Sequence, residues 1–312
     1  METRALGVKG PALSAIGLGA WAIGGSWEFG WGPVDDGESI RTIHRALDLG
    51  INWIDTAAVY GLGHSESIVG RAIRERRDRV FIATKCGMVW DKQNTVGKNL
   101  RPESIRKELE ASLRRLGTDH VDLYQFHWPD PETPIEDSWR TMSELVAEGK
   151  TRHIGVCNFS VAQLDRCREI APVQSLQPPY SMLKREIEID LLPYCVKHQI
   201  GVIAYSPLAS GLLTGKFDAE NLAQDDWRRK SARFGSENVE KVRRLLKQLK
   251  PIADQHRTSV AGIAIAWILK NEHVTSAIVG ARKPWQIEET VIAADVTLSP
   301  ADIASIEEIL QP

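Results

Sequence analysis

Ile51-Asn52-Trp53-Ile54-Asp55-Thr56-Ala57-Ala58-Val59-Tyr60 is the stretch that decides how this chain folds. It begins after Gly50, which closes a helical pattern carried by Ile40, Ile43, Ala46 and Leu47, and it reads as a short β-strand. Alternate residues of a strand share a face, so Ile51, Trp53 and Asp55 are expected to point one way and Ile54 the other. Asp55 then continues an apolar inward face just where the strand runs out. A buried carboxylate without a partner is costly, so a cation is expected beside it. Two later strand-like runs end in suitable groups: Phe81-Ile82-Ala83-Thr84-Lys85 in a lysine, and Val121-Asp122-Leu123-Tyr124-Gln125-Phe126-His127 in a histidine. With Tyr60 on the glycine-rich loop that follows Asp55, successive strand ends deliver an acid, a phenol, an amine and an imidazole, which is the equipment of a proton-transfer site.

Outward from that stretch the chain alternates short β-like runs with amphipathic helices. Leu6-Gly7-Val8 and Leu13-Ser14-Ala15 flank Lys9-Gly10-Pro11, predicting a hairpin cap, and residues 16–18 form a first strand. Helix 38–49, strand 51–55, helix 64–75, strand 80–84, helix 102–116 and strand 121–126 follow. In helix 102–116, Ile105, Leu109, Leu113 and Leu116 line one face, with Pro102 opening it and Gly117 closing it. Thr133-Pro134-Ile135-Glu136 predicts a capping box at the start of helix 134–148, and Ser160-Val161-Ala162-Gln163 predicts another after strand 152–156. Strands near 174–177, 201–205 and 276–279 and helices 186–198, 237–254, 259–270 and 285–294 complete the set. Eight strand-then-helix steps, spaced about 39 residues apart over 312 with no break in composition, predict an α/β fold: a (β/α)₈ TIM barrel with an N-terminal β-hairpin cap, one domain over 1–312. All eight strands of such a barrel end on one rim, so the strand-end groups are expected to converge.

Gly17-Leu18-Gly19-Ala20-Trp21-Ala22 satisfies a loose dinucleotide fingerprint, but that fingerprint needs a helix to begin inside it. Ile23-Gly24-Gly25-Ser26-Trp27-Glu28-Phe29-Gly30 follows instead, which rules out the helix. A net charge of −2 with both signs interspersed argues against a dedicated nucleic-acid or membrane surface. The four cysteines (Cys86, Cys157, Cys167, Cys195) show no Cys-x-x-Cys pairing and read as reduced thiols. The N-terminal residues carry no apolar signal core, and no apolar run approaches the ~20 residues of a membrane helix, so a cytoplasmic location is expected. The Asn158-Phe159-Ser160 sequon is then a chance match.

Several motifs stand in one order along the chain: Asp55-Thr56-Ala57, Tyr60-Gly61 with His64-Ser65-Glu66, Thr84-Lys85, and Leu123-Tyr124-Gln125-Phe126-His127-Trp128-Pro129-Asp130. Gly155-Val156-Cys157-Asn158-Phe159-Ser160, Gln177-Pro178-Pro179-Tyr180, Tyr205-Ser206-Pro207-Leu208, Gly211 to Lys216, and Gly280-Ala281-Arg282-Lys283-Pro284 extend the series. Together they resemble the aldo-keto reductases, nearest the bacterial branch related to channel-associated β-subunits. The resemblance implies a (β/α)₈ barrel and NADPH-dependent reduction of aldehydes and ketones. The residue chemistry agrees: Tyr60 is expected to donate the proton, Lys85 to lower its pKa, Asp55 to hold Lys85 charged, and His127 to orient the carbonyl.

The resemblance further implies that Asn158 and Gln177 hold the nicotinamide carboxamide and that Tyr205 stacks on its ring, with Trp21, Asp55 and Gly280 also bordering the cofactor. The run Ser206, Pro207, Leu208, Ser210 and Gly211 offers backbone N–H groups to a pyrophosphate, with Lys216 as a point charge. Arg282 and Lys283 precede a helix opened by Pro284, where a 2′-phosphate meets side-chain charge and helix dipole, which favours NADPH over NADH. Gln286 and Glu289 would contact the adenosine end. Cys157 stands where serine is usual, and Thr290 where asparagine is, each in doubt as a cofactor contact. Segment 209–236, with Arg228-Arg229-Lys230 near its middle, either folds over the cofactor or is a disordered basic loop.

For substrate, Trp21, Trp31, Trp90 and Trp128, with Trp27, Phe29 and Met88, are expected to wall an apolar mouth beside Tyr60 and His127, suited to small aliphatic or aromatic carbonyl compounds. The partner expected is that small molecule alone, with the chain a monomer or weak homo-oligomer. A slow-turnover, NADPH-binding redox sensor is the alternative the sequence leaves open. A metal-dependent hydrolase lacks support, since the eight histidines include no His-x-His pair, and no metal is expected.

Overall fold

A computed structural model describes residues 1–311. The chain opens with a hairpin of β1 (Thr3–Ala5) and β2 (Ala12–Ser14). It continues through β3 (Ile16–Gly19), α1 (Asp36–Asp48), β4 (Trp53–Asp55), α2 (His64–Ile73) and β5 (Phe81–Cys86). A second hairpin, β6 (Met88–Trp90) and β7 (Val96–Lys98), precedes α3 (Pro102–Leu116), β8 (Val121–Phe126), α4 (Ile135–Ala147), β9 (Thr151–Cys157) and α5 (Val161–Arg168). Then come β10 (Ser175–Gln177), α6 (Leu191–His198), β11 (Gly201–Ala204), α7 (Ser236–Gln255), α8 (Val260–Leu269), β12 (Val274–Gly280), α9 (Pro284–Val291) and α10 (Pro300–Ile309). Strands β3, β4, β5, β8, β9, β10, β11 and β12 pair in parallel and in that order, and β12 returns to β3 to close the ring. The fold is the predicted eight-stranded parallel barrel. No helix among the described residues is long and apolar enough to cross a membrane.

The strands divide the core in two. Ile54, Ile82, Tyr124, Phe126, Val156 and Val202 face outward and pack with the helices. Trp53, Ala83, Leu123, Ile203 and Ile278 fill the interior, where Leu6 and Leu13 of the hairpin join them and plug one end. The glycines of the rejected fingerprint gain a structural reason here. A Cβ on Gly17 would lie 2.1 Å from the Trp53 indole, so the glycine makes room for the largest side chain inside the ring.

Local differences from expectation have local causes. Ile51 packs on the helix side with Ile43 and Ile54, because the strand begins only at Trp53 and alternation does not reach back to it. The hairpin arms are 3–5 and 12–14, not 6–8 and 13–15. Leu6 leaves the ladder to enter the barrel, while Gly7 and Lys9 turn the chain with positive φ of 66° and 52°. The box at Ser160 forms, but the one at Thr133 does not. Thr133 instead donates its hydroxyl to Asp130 (2.7 Å), whose carboxylate also accepts from the N–H groups of Leu100 and Glu132. The expected helix 186–198 starts as a single 3₁₀ turn and becomes α-helical only at Leu191. Two elements escaped the reading: the β6–β7 hairpin, and α10, although Ser299, Pro300 and Asp302 form a complete N-terminal cap.

Candidate active site

Asp55 is the last residue of β4, Lys85 the last but one of β5, and His127 follows β8, so parallel register brings the three to one rim. Tyr60 arrives on the loop after β4. It is turned inward by Gly61, Leu62 and Gly63, with positive φ of 59°, 53° and 100°. Gly61 lies flat against Gly24, whose carbonyl oxygen would be 2.0 Å from any Cβ there, so only glycine lets the two loops touch.

Lys85 is the hub, and it is almost fully buried. Its ammonium donates to Asp55 Oδ1 at 2.6 Å, to the Thr56 carbonyl at 2.8 Å and to the Tyr60 hydroxyl oxygen at 3.2 Å. Three donors meet three acceptors, so the amine has no proton left to share. The other Asp55 oxygen accepts from Gln177 Nε2 at 2.8 Å. Buried ion pairs hold only when the remaining lone pairs are met in this way. The His127 ring stands edge-on to Tyr60 with centroids 5.5 Å apart. The Asn158 side-chain amide bridges its neighbours, giving a hydrogen bond to the His127 carbonyl (3.0 Å) and accepting one from the Tyr205 hydroxyl (2.9 Å).

Burial governs the titration of this group. It pushes the Tyr60 phenol up to about 12, with the downward pull of Lys85 too weak to prevail. Lys85 was expected to lower the phenol; instead the dry site keeps the proton on Tyr60. Burial works against the Lys85 charge, yet Asp55, Tyr60 and Cys157 outweigh it and raise the amine. His127 is driven well below its ordinary range by burial and then by Lys85, so its imidazole is neutral. Burial likewise raises the Cys157 thiol despite Lys85.

A cavity of about 820 Å³ opens over this group and runs along the rim to the start of α9. The residues expected to bind cofactor, Lys283 excepted, line it, from Trp21, Asp55, Asn158, Gln177 and Tyr205, through Ser206, Pro207, Leu208, Ser210, Gly211 and Lys216, to Gly280, Arg282, Gln286 and Glu289. Ala209, Ser210 and Gly211 are consecutively left-handed (φ 50°, 56° and 99°), a backbone form that turns N–H groups toward an anion. At the far end Arg282 gives hydrogen bonds to the carbonyls of Trp31 (3.1 Å) and Pro33 (2.5 Å) and faces no carboxylate within 4 Å among the described residues. Burial and the nearby Arg228 lower its pKa. Lys283, expected beside it, points away and its amine lies 3.9 Å from Glu38. Gln286 Oε1 accepts from the N–H groups of Arg282 and Lys283, capping α9, and Lys216 pairs with Glu289 at 2.5 Å. The Thr290 hydroxyl bonds back to Gln286 within its own helix. A long cavity with an anion-turned backbone run at its middle and an arginine without a carboxylate at one end fits a dinucleotide.

Of the aromatic residues, Trp21, Trp27, Phe29, Trp31 and Trp128 line the cavity, as does Met88. Trp90 does not. It sits on the β6–β7 hairpin, packed behind Met88 in the cluster around Tyr60, because the hairpin turns it off the mouth. Segment 209–236 is ordered through 3₁₀ turns at Ala209–Thr214, Trp227–Lys230 and Ala232–Phe234, and it meets residues 21–34 across the cavity. Its Arg228 escaped the sequence reading. That side chain is buried, bound to Asp226 (2.6 Å), stacked 4.0 Å over Trp31 and bonded to the Ser210 carbonyl, while Arg229 and Lys230 are exposed. Only Asp226 two residues earlier marked it out.

Comparison with known proteins identifies the class to which this parallel barrel and its rim belong. The Aldo/keto reductase family matches residues 15–311, and the chain belongs to it. The chain is 42% identical over 315 residues to aldo-keto reductase YhdN of Bacillus subtilis (strain 168), covering all of this chain and 94% of the relative. It is 39% identical over 326 residues to the NADH-specific methylglyoxal reductase of Escherichia coli (strain K12), covering 100% and 99% of the two chains. Among solved structures, the glycerol dehydrogenase AKR11B4 from Gluconobacter oxydans superposes with a TM-score of 0.90 at 43% identity, over 99% of this chain and 95% of that one. The protein is an oxidoreductase that acts on carbonyl compounds and uses a nicotinamide cofactor.

Proposed function

We propose that this protein reduces aldehydes and ketones to alcohols with NADPH, and that Tyr60 supplies the proton. The observation that carries the reading is the 3.2 Å contact of the Lys85 amine with the Tyr60 hydroxyl at the floor of the cavity. Bound there, the reduced nicotinamide supplies a hydride to the carbonyl carbon. Negative charge then grows on the carbonyl oxygen, and Tyr60 gives it the hydroxyl proton. The phenol already accepts from Lys85, so its own O–H is directed to the cavity side. Lys85 stabilises the phenolate left behind, an effect enlarged by the dry surroundings. Asp55 and Gln177 hold Lys85 in place, and the neutral His127 ring donates a hydrogen bond to the same substrate oxygen. Trp21, Trp31 and Trp128 form the apolar walls against which the substrate lies.

Arg282, beside the first turn of α9 and with no carboxylate within 4 Å among the described residues, supports NADPH over NADH, since a 2′-phosphate there would meet charge and helix dipole together. Because one relative is named as NADH-specific, the deciding measurement is oxidation of both cofactors against a panel of small aldehydes, ketones and sugars. Sustained turnover with a lower KM for NADPH is expected. A single burst without turnover would favour a cofactor-binding sensor, and equal use of NADH would remove the assigned role of Arg282.

A further inference from the structure

Trp21 borders the proposed proton donor, and its indole has two near-parallel aromatic neighbours. One is the Tyr60 ring, with centroids 6.3 Å apart and planes 25° from parallel. The second is Trp227, at 5.8 Å and 20°. Along its edge Trp21 donates its indole N–H to the Phe29 carbonyl at 3.1 Å. One in-plane hydrogen bond leaves a ring free to tilt about it; packing against two near-parallel rings restricts that freedom.

Trp227 itself does not line the cavity. It belongs to the segment after β11, more than two hundred residues from Trp21, and is fixed from behind. Its backbone N–H donates to the Gly30 carbonyl at 3.3 Å, which holds the main chain, and its ring packs edge-to-face with Phe234, a buried residue, at 5.4 Å. Movement of Trp21 toward Trp227 is therefore blocked by a side chain outside the cavity lining.

We propose that Trp227 is a positioning residue that sets, through Trp21, the width of carbonyl substrate admitted beside Tyr60. The inference rests on the carbonyl-reductase reading of this site and adds to it which substrates the site excludes: ketones carrying bulky groups on both sides of the carbonyl. Removing the Trp227 ring opens space behind Trp21, which tilts into it and widens the cavity at the reacting end.

The test is kcat/KM for a narrow aldehyde (propanal) and a wide ketone (benzophenone) in the wild type, W227F, W227A, W21A and the double variant W21A/W227A. NADPH affinity is followed by fluorescence as a check on folding. W227A is expected to shift the ratio toward the wide ketone by about tenfold, the scale on which apolar pockets discriminate by size, and mainly through KM. W227F keeps a flat face and should hold the ratio within about twofold of the wild type. Since Trp227 acts only through Trp21, the double variant should be no more permissive than W21A. If W227A does not fold, W227L, which fills space without a flat face, is read in the same way. Wild-type turnover with an unmoved ratio in W227A, or effects that simply add in the double variant, would sink the inference. No reduction of either carbonyl by the wild type would sink the reading of the site, and the inference with it.

Discussion

The proton-transfer corner and the aromatic wall beside it are built on different terms. At the corner the buried ion pair is fully met: Lys85 has three acceptors, and both Asp55 oxygens are occupied. The groups stand on strand ends whose positions the barrel register dictates. The wall is carried by loops and held by ring faces, with Trp21 between Tyr60 and Trp227 and Trp31 under Arg228. Its Trp27, Trp31 and Trp227 indole N–H groups find no acceptor among the described residues. Hydrogen bonds and charge are directional and fix atoms one by one, whereas ring packing fixes shape and gives way when a neighbouring ring is removed. On the proposed reading the chemistry rests on the polar part of the rim, and selection of substrate on the packed part.

The sharpest break in that comparison is Tyr60→Phe. It leaves the wall packed and removes only the hydroxyl, so kcat should fall by about 10²–10⁴-fold while NADPH affinity, read by fluorescence titration, stays within about twofold. Near-normal turnover would place the acid elsewhere. Lys85→Met strikes the polar side of the contrast by leaving the Asp55 carboxylate buried with Gln177 alone. Urea unfolding should show a loss of about 3–5 kcal/mol, the cost of an orphaned buried charge, and a loss under 1 kcal/mol would mean the corner is less rigid than described.

Glu108 tests where the two regions join. From α3 it accepts the Gly87 N–H (3.0 Å) and the Ser104 hydroxyl (3.1 Å), bracing the chain between Lys85 and the β6–β7 hairpin. Burial raises its pKa from 4.5 to about 7, with the Gly87 N–H opposing and Glu66 adding to it. The folded state thus holds this proton more tightly than the unfolded chain. The corresponding stability is complete below pH 4.5 and is lost as pH rises through about 7. Relative to Glu108→Gln, the wild type should therefore lose on the order of 3 kcal/mol between pH 4.5 and 9 in paired denaturation curves. A pH-independent difference would show that Glu108 does not titrate in this window. The smallest effect is expected at the far end of the cavity. Arg282→Ala should weaken NADPH about tenfold or somewhat more, the worth of a charge-assisted bond, and leave NADH within about twofold, as measured by competitive titration of both.

The same contrast explains how much could be read in advance. The strand-end residues were legible because alternation and a repeated β-then-α period suffice to place Asp55, Lys85 and His127 on one rim. Trp90 was misplaced because it follows a strand end as Met88 does, and only the unforeseen β6–β7 hairpin turns it away. Arg228 looked like its neighbours Arg229 and Lys230 until the fold buried one of the three. The upward displacement of Tyr60 had no sequence signal, since a Lys–Tyr pair argues for a lowered pKa and only the dryness of the assembled site reverses it.

By itself the sequence determined the barrel, the order of its strands and the four side chains at its rim, because periodicity and chain direction are local properties that survive translation into three dimensions. Tertiary structure alone decided which loop residues face the cavity, which are buried behind it and how strongly each proton is held. Those outcomes depend on contacts between segments as far apart as Trp21 and Trp227, and on water excluded by their packing, and neither is written in any single stretch of chain.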